Sequence, residues 1–490
     1  MKTTYFVIVL LLTNHLISIG QTRILELKST EFPTVGNTVI KGSVGYLAVP
    51  ENRLKPGSRE LSVKFVHLKS VSNTPQPPVI YLEGGGRPST PQAENPETLT
   101  DWLPILKVSD LIFVDQRGTT DQALTYVWTG EFPENFFISA EDAGAHYQDL
   151  CKKALAEFER RQLDVSGYNI AEHANDIHDL TEALQIRKYS IFGFSFGSQI
   201  AMALMKLFPQ ELVSTIAVST DAMDQSFNYP VHLDDQLKKI TKMVAADSSI
   251  NAKIPALDKL TEKVMAKLSA NPITISVRHP LTGNPLSVKV GSFGLALILR
   301  LEIDDTNDIP AIPRLLYTLD QGDYTMLQWF VQKRIPFAIA VPGNGINQAI
   351  ASGLSSEREK IIESQASRSL FGNVVNFPFY DARKVWPVCD VTIDTSTPLS
   401  TSVPTLFITG SLDCRTPVEQ VDETMKGFSN AVHLIVENAG HEQAMWDTEI
   451  FDGAIPDFLS GLDVRKTNAF YKGIQFLPLQ GSHQGHPSVK

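Results

Sequence analysis

Apolar positions along the chain follow two different periods, and the places where the period switches outline an architecture. Val79 to Leu82, Tyr189 to Phe192, Ser214 to Ser219, Val403 to Thr409 and Val432 to Val436 are short runs rich in β-branched and aromatic residues. That texture predicts strands of a mostly parallel sheet, buried on both faces. Ile200, Ala203, Leu204 and Leu207 recur at helical spacing directly after the second run and stop at Pro209. Strands alternating with helices of this kind predict an α/β class, a sheet flanked by helices. From about Asn228 to Pro398 the texture turns helical (232–246, 254–268, 290–301 and on to about 365), with a strand-like pair at Ile273–Val277 and Leu286–Val288 around Gly283-Asn284. The sheet-bearing core is therefore expected in two parts, 21–227 and 399–465. A large, mainly helical insertion at 228–398 separates them. A tail at 466–490 follows, polar and frayed from Gln480. Such an insertion suits a cap that excludes water and selects substrate; an interaction domain without a catalytic part is the other reading.

Chemistry sits at the ends of these runs. The strand at Tyr189 meets Gly193-Phe194-Ser195-Phe196-Gly197 before the helix begins. Strand, sharp turn and helix in this order can hold a serine in a strained, exposed conformation, with glycines on either side so that strand and helix approach closely. Ser195 is the candidate nucleophile. It needs a base and an orienting acid, and in this arrangement the chain order is Ser, acid, His. Asp413 follows the strand ending at Gly410, and His441 follows the strand ending near Val436. Both fall on the sheet edge where ligands bind. Asp221, just after the strand that follows the elbow helix, is the rival acid. His433, one of 11 histidines, lies inside a strand and is expected to be structural. An oxyanion hole requires the backbone N–H of Phe196 and a second donor from the loop after an earlier strand. Glu83-Gly84-Gly85-Gly86-Arg87-Pro88 is that loop, and Gly85 is the second candidate donor. A phosphate cradle is excluded, since no Gly-Lys-Ser/Thr sequel and no G-x-G-x-x-G spacing occurs.

Further segments carry a family resemblance. Val44-Gly45-Tyr46-Leu47-Ala48-Val49-Pro50, Asp115-Gln116-Arg117-Gly118-Thr119, Gly167-Tyr168-Asn169-Ile170 and the loop from Gly410 to Pro417 resemble motifs of the prolyl and tripeptidyl aminopeptidase branch of the α/β-hydrolases. The likeness runs over most of residues 36–462. It departs at the oxyanion loop, where Glu83 precedes the glycines, Gly86 replaces a proline and Arg87 replaces a glycine. The resemblance implies an exopeptidase that removes residues from peptide N-termini with neither cofactor nor metal. A free ammonium would need carboxylates near Ser195. The insertion contains Glu302, Asp304, Asp305 and Asp308, none of which the sequence singles out, and two or more such acids are expected to converge on the site. A carboxylesterase using the same triad is the alternative, followed by a catalytically silent binding protein.

Composition narrows the setting. Met1-Lys2, an apolar stretch from Tyr5 to about Ile19 and small residues before Gln21 have a signal-peptide layout, so residues 1–20 are expected to direct export to a secreted or periplasmic location. No later segment approaches 18 unbroken apolar residues, and no membrane partner is expected after signal removal. A net charge of −11 without basic clusters argues against nucleic acid, leaving a peptide or small ester as the expected partner. The three cysteines, Cys151, Cys389 and Cys414, have no zinc-like spacing. Either one disulfide, bracing the acid loop through Cys414, or buried free thiols would fit.

Overall fold

A strand with no polar face can be satisfied only between two neighbours and under helices, and the apolar runs are paired in that way. The structure, a computed structural model, describes residues 23–36, 38–119, 124–351, 353–387 and 392–479. The expected signal segment, the tail from Gln480 and Cys389 lie outside the described residues. The main sheet has ten strands: β1 (Arg23–Pro33), β2 (Val39–Pro50), β3 (Glu60–Leu68), β4 (Gln76–Leu82), β5 (Ser109–Val114), β6 (Tyr189–Phe194), β7 (Leu212–Val218), β8 (Thr405–Gly410), β9 (Ala431–Glu437) and β10 (Ala469–Phe470). Their spatial order is β1-β2-β3-β5-β4-β6-β7-β8-β9-β10. The pairs from β5 to β10 are parallel, and β1, β2 and β3 are joined to one another and to β5 by antiparallel pairs. Register places Leu82 beside Gly193, Phe194 beside Val218, Val218 beside Ile408 and Gly410 beside Val436. The loops after β4, β6, β7, β8 and β9 therefore leave from one edge.

Helices cover both faces of the sheet. On one face Trp102 is fully buried among Tyr81, Phe113, Phe192 and Phe451, with ring centroids 4.5–5.6 Å apart. Edge-to-face pairs of this kind add roughly 0.5–1.5 kcal/mol each beyond area burial, and they fix the layer beneath the central strands.

Between β7 and β8 the chain forms helices at Val231–Ala246, Leu257–Ala270, Ser292–Glu302, Ile312–Asp320, Thr325–Arg334, Gly343–Ala351 and Ser356–Ala366. Ile273–Arg278 and Pro285–Val290 pair as an antiparallel hairpin, with Gly283 at φ +71° in its turn. The helical region is not closed on itself. Its Ala340–Pro342 pairs with Thr125–Val127 from the earlier part of the chain. Tyr147 Oη donates to Ala340 O at 3.2 Å from the helix Ala140–Arg160. Past residue 465 the chain adds edge strand β10, and Leu477 N donates to Pro310 O, so this part of the expected tail is packed on the sheet and the insertion. Cys151 and Cys414 are buried free thiols. Among the described residues no helix is long and apolar enough to cross a membrane.

Candidate active site

The turn between β6 and the helix Phe196–Leu207 (the elbow helix) is as tight as its glycines allow. A Cβ at Gly197 would lie 2.1 Å from the Leu82 carbonyl oxygen, and one at Gly193 would lie 2.5 Å from that of Gly197. Ser195 sits at the tip with φ 49° and ψ −119°, a conformation that costs a non-glycine residue on the order of 1–3 kcal/mol. Its N–H donates to Val218 O at 2.9 Å, which ties the strained residue to β7.

His441 is fixed through its backbone from two sides. Asn438 turns the chain at φ 60° after β9. Gly440 then passes so close to the Asp304 carbonyl that a Cβ would lie 2.1 Å from it. His441 N donates to Asp304 O at 2.8 Å, Gly440 N to Thr306 Oγ1 at 2.8 Å, and His441 O accepts from Ser219 Oγ at 2.6 Å. So held, the imidazole places Nε2 3.0 Å from Ser195 Oγ and Nδ1 2.9 Å from Asp413 Oδ2.

Asp413 is buried and fully engaged. Oδ1 accepts from Arg415 N and Thr416 N, both at 2.9 Å, and Oδ2 accepts from Thr416 Oγ1 at 2.6 Å as well as facing His441. Burial pushes this carboxyl up, but the charge of His441, its hydrogen bond and those of Thr416 outweigh it and hold the group below the ordinary carboxylate range. The rival Asp221 is bonded to Gln420 Nε2 at 3.2 Å instead of to the imidazole. Burial, with the nearby Asp413 charge adding against the pull of His441, pushes Asp221 up to about 7. His433 bonds Asp422 and Thr409 on the sheet, away from Ser195.

The two candidate oxyanion donors face the same space. Gly85, at φ +56°, and Phe196 both line the cavity that contains Ser195. Neither amide N–H donates to another described residue. Phe196 is also the first residue of the elbow helix, where unsatisfied N–H groups and the helix dipole favour negative charge. The departures in this loop are tied down. The Glu83 carboxylate accepts from Gly84 N at 2.9 Å, Tyr81 Oη at 3.2 Å and Arg87 Nη2 at 3.3 Å, so Arg87 is drawn to the rim of the loop. The segment 115–119 supplies the rest of the clamp. Asp115 accepts from Ser89 N, Thr90 N and Thr90 Oγ1, and Gln116 Nε2 donates to Glu83 O, so both ends of the glycine loop are pinned. Gln348, on an insertion helix, braces Gln116 at 3.2 Å.

Sequence reasoning missed three parts of this arrangement. Thr416 was visible within the acid-loop motif but carried no signal for its bond to Asp413. Gln116 and Gln348 are joined only by folding. The third part is the charge of the cavity, which has a volume of about 510 Å³ and runs from Ser195 under the insertion. Among the described residues its walls include one acid, Asp221, and two arginines, Arg300 and Arg415, beside apolar groups such as Phe337, Val375 and Phe379. The insertion acids do not converge there. Glu302 is buried against Lys333 (2.8 Å) and Arg334 (2.6 Å), Asp308 pairs with Lys333 (2.9 Å), Asp304 pairs with Arg415 (2.8 Å), and Asp305 accepts from Gln443 (3.0 Å). The expectation of converging insertion acids is corrected: Lys333, Arg334 and Arg415 pair with Glu302, Asp304 and Asp308, and Asp305 is held by Gln443.

Comparison with known proteins agrees with this frame. Residues 150–248, which span β6, the elbow and β7, match the family described as alpha/beta hydrolase fold. Residues 373–468, which carry Asp413 and His441, match the family described as TAP-like protein. With the sheet order and the elbow, the chain is an α/β-hydrolase. Over residues 373–468 it is similar to the TAP-like family. No curated protein matches it. Solved structures similar to it include a proline iminopeptidase-related protein from Thermus thermophilus (13% identity, 89% of this chain and 99% of that chain, TM-score 0.36). A thermophilic esterase from Thermogutta terrifontis (12%, 89% and 98%, 0.32) and a bromoperoxidase from Bacillus anthracis (11%, 85% and 99%, 0.37) are similar as well. Likenesses at this level bear on no activity.

Proposed function

We propose that the protein is a secreted serine hydrolase that works through an acyl-enzyme and acts as an aminopeptidase on peptide N-termini. The observation that carries the hydrolase reading is the unbroken chain of contacts from Asp413 through His441 to Ser195 Oγ, opening on a cavity lined by two free amides. In this reading His441 Nε2 takes the Ser195 proton as Oγ attacks the carbonyl. Asp413 holds the proton on Nδ1 and stabilises the imidazolium that forms. Gly85 and Phe196 N–H groups receive the oxyanion, each such donor contributing roughly 3 kcal/mol to the transition state. His441 then protonates the leaving group, and a water activated by His441 releases the acyl group. The export reading rests on residues 1–20 of the sequence.

The aminopeptidase reading rests on the TAP-like match and on Asp221, a carboxylate of the cavity wall. The pairing of Glu302, Asp304 and Asp308 with basic groups favours a second reading, a carboxylesterase, because it leaves little acid to hold an ammonium. A panel of aminoacyl, dipeptidyl and tripeptidyl amides, each free and N-acetylated, set beside short-chain esters, separates the two. Loss of nearly all turnover on acetylation supports the aminopeptidase; equal turnover of free and acetylated substrates overturns it in favour of the esterase.

A further inference from the structure

Among the described residues Arg300 is the cation of this cavity with no carboxylate at ion-pair distance. It lies near the end of the helix Ser292–Glu302, is half-buried, and lines the cavity with Ser195. A guanidinium offers five N–H donors. One of them reaches the Val375 carbonyl at 3.2 Å. Among the described residues no carboxylate lies within ion-pair distance of Arg300, although acids are close along the chain. Glu302 is taken by Lys333 and Arg334, and Asp304 by both Nε (3.0 Å) and Nη2 (2.8 Å) of Arg415. Asp221 shares the cavity but is bonded to Gln420, and with its carboxyl pushed up to about 7 it is only partly ionised at neutral pH. Burial and the neighbouring Arg415 outweigh the opposing pull of Asp304 and lower Arg300 to about 10, which still leaves it charged at neutral pH.

A cation withdrawn from water without a partner is unfavourable, and it is tolerated where a bound group completes the pair. The planar fork of arginine fits a carboxylate through two parallel hydrogen bonds. The cavity volume lies within the range of roughly 300–1,000 Å³ that encloses small ligands, so the part of a substrate that reaches Arg300 is short. From this we infer that Arg300 receives a carboxylate of the substrate, and that the protein acts on short anionic acyl compounds, in the first place short peptides with a free C terminus. The inference rests on the proposed role of Ser195 for turnover, but its binding step does not.

The test uses the full chain. Binding of trialanine and of its C-terminal amide is measured by calorimetry in the Ser195→Ala variant, with and without Arg300→Met. Turnover of the same pair, and of p-nitrophenyl hemisuccinate against p-nitrophenyl butyrate, is measured with Ser195 intact. The carboxylate member of at least one pair should be preferred by about tenfold or more, corresponding to a charge-assisted pair. Arg300→Met should bring that preference to within about threefold, chiefly by weakening the carboxylate member of each pair, a selectivity that a mere brace for Val375 would not produce. Equal handling of the carboxylate and its counterpart in both pairs, no binding of trialanine together with no turnover of the hemisuccinate, or a preference that survives Arg300→Met overturns the inference. Arg300-dependent binding of trialanine with no turnover of any substrate by the Ser195-intact chain would instead sink the hydrolase reading and leave the anion site standing.

Discussion

Replacing Asp413 by asparagine should disable the site by turning one proton around. Asp413 faces donors on both oxygens: two backbone N–H groups on Oδ1, and Thr416 Oγ1 with His441 Nδ1 on Oδ2. The asparagine oxygen will take the backbone pair, because an NH₂ there would oppose two fixed donors. The NH₂ then faces His441 and donates to Nδ1. That forces the imidazole proton onto Nε2, 3.0 Å from Ser195 Oγ, where a base is needed. A wrong tautomer of this kind lowers turnover on the order of 10⁴-fold, about 5 kcal/mol at 1.36 kcal/mol per tenfold. The substrate cavity is untouched, so the loss belongs in kcat, with KM near its original value. Asp221→Asn, which breaks no bond to His441, should cost less than about tenfold in kcat if Asp221 has no direct part in the proton transfer. Steady-state kinetics of both variants on the best amide or ester of the panel decide the matter. If, on an N-acetylated or ester substrate that carries no ammonium, Asp221→Asn proves the more damaging change, the acid has been assigned to the wrong strand end.

Two further outcomes follow from the same geometry. Asp221 is pushed up to about 7, while a free aspartate titrates near 3.9. The folded chain therefore binds this proton more tightly than the unfolded chain does, and stability falls as pH rises from about 4 to about 7. Asp221→Asn should remove that slope, so that its melting temperature gains on the original protein between pH 4.5 and 7.5; an offset independent of pH would contradict the placement of this carboxyl. Gly197→Ala would push a methyl group to 2.1 Å from the Leu82 carbonyl, which only movement of the elbow against β4 can relieve. It should cost roughly 1–3 kcal/mol of stability, read by urea unfolding, together with most of the activity; an unperturbed, fully active variant would mean that the elbow is looser than described.

The parts of this molecule that were legible in the sequence are those fixed locally. Tyr189 to Pro209 encodes strand, turn and helix in adjacent residues, and the structure follows it as β6 and the helix Phe196–Leu207. Asp413 and His441 were legible because each directly follows an apolar run, and parallel pairing then brings both run ends to the same edge as Ser195. Strand β1 was missed because its side chains are mostly exposed and its apolar residues, Ile24, Leu25, Leu27 and Phe32, follow no sustained alternation. Strand β10 was missed because two residues have no period, and β9 alone sets its place. The joining of Thr125–Val127 to Ala340–Pro342 depends on partners far apart in the chain. The charge of the cavity was read with the wrong sign for the same reason. Counting acids in 302–308 ignores Lys333, Arg334 and Arg415, which reach them only after folding.

The central claim, that Ser195 is an activated nucleophile, is tested most directly by covalent labelling. The purified chain is treated with a fluorophosphonate, digested and mapped by mass spectrometry, with Ser195→Ala and His441→Ala variants in parallel. One modified residue is expected, Ser195, labelled at a rate that collapses without His441, with no hydrolytic activity above background in Ser195→Ala. Modification at another serine, labelling of Ser195 that is indifferent to His441, or hydrolysis that survives Ser195→Ala would contradict it.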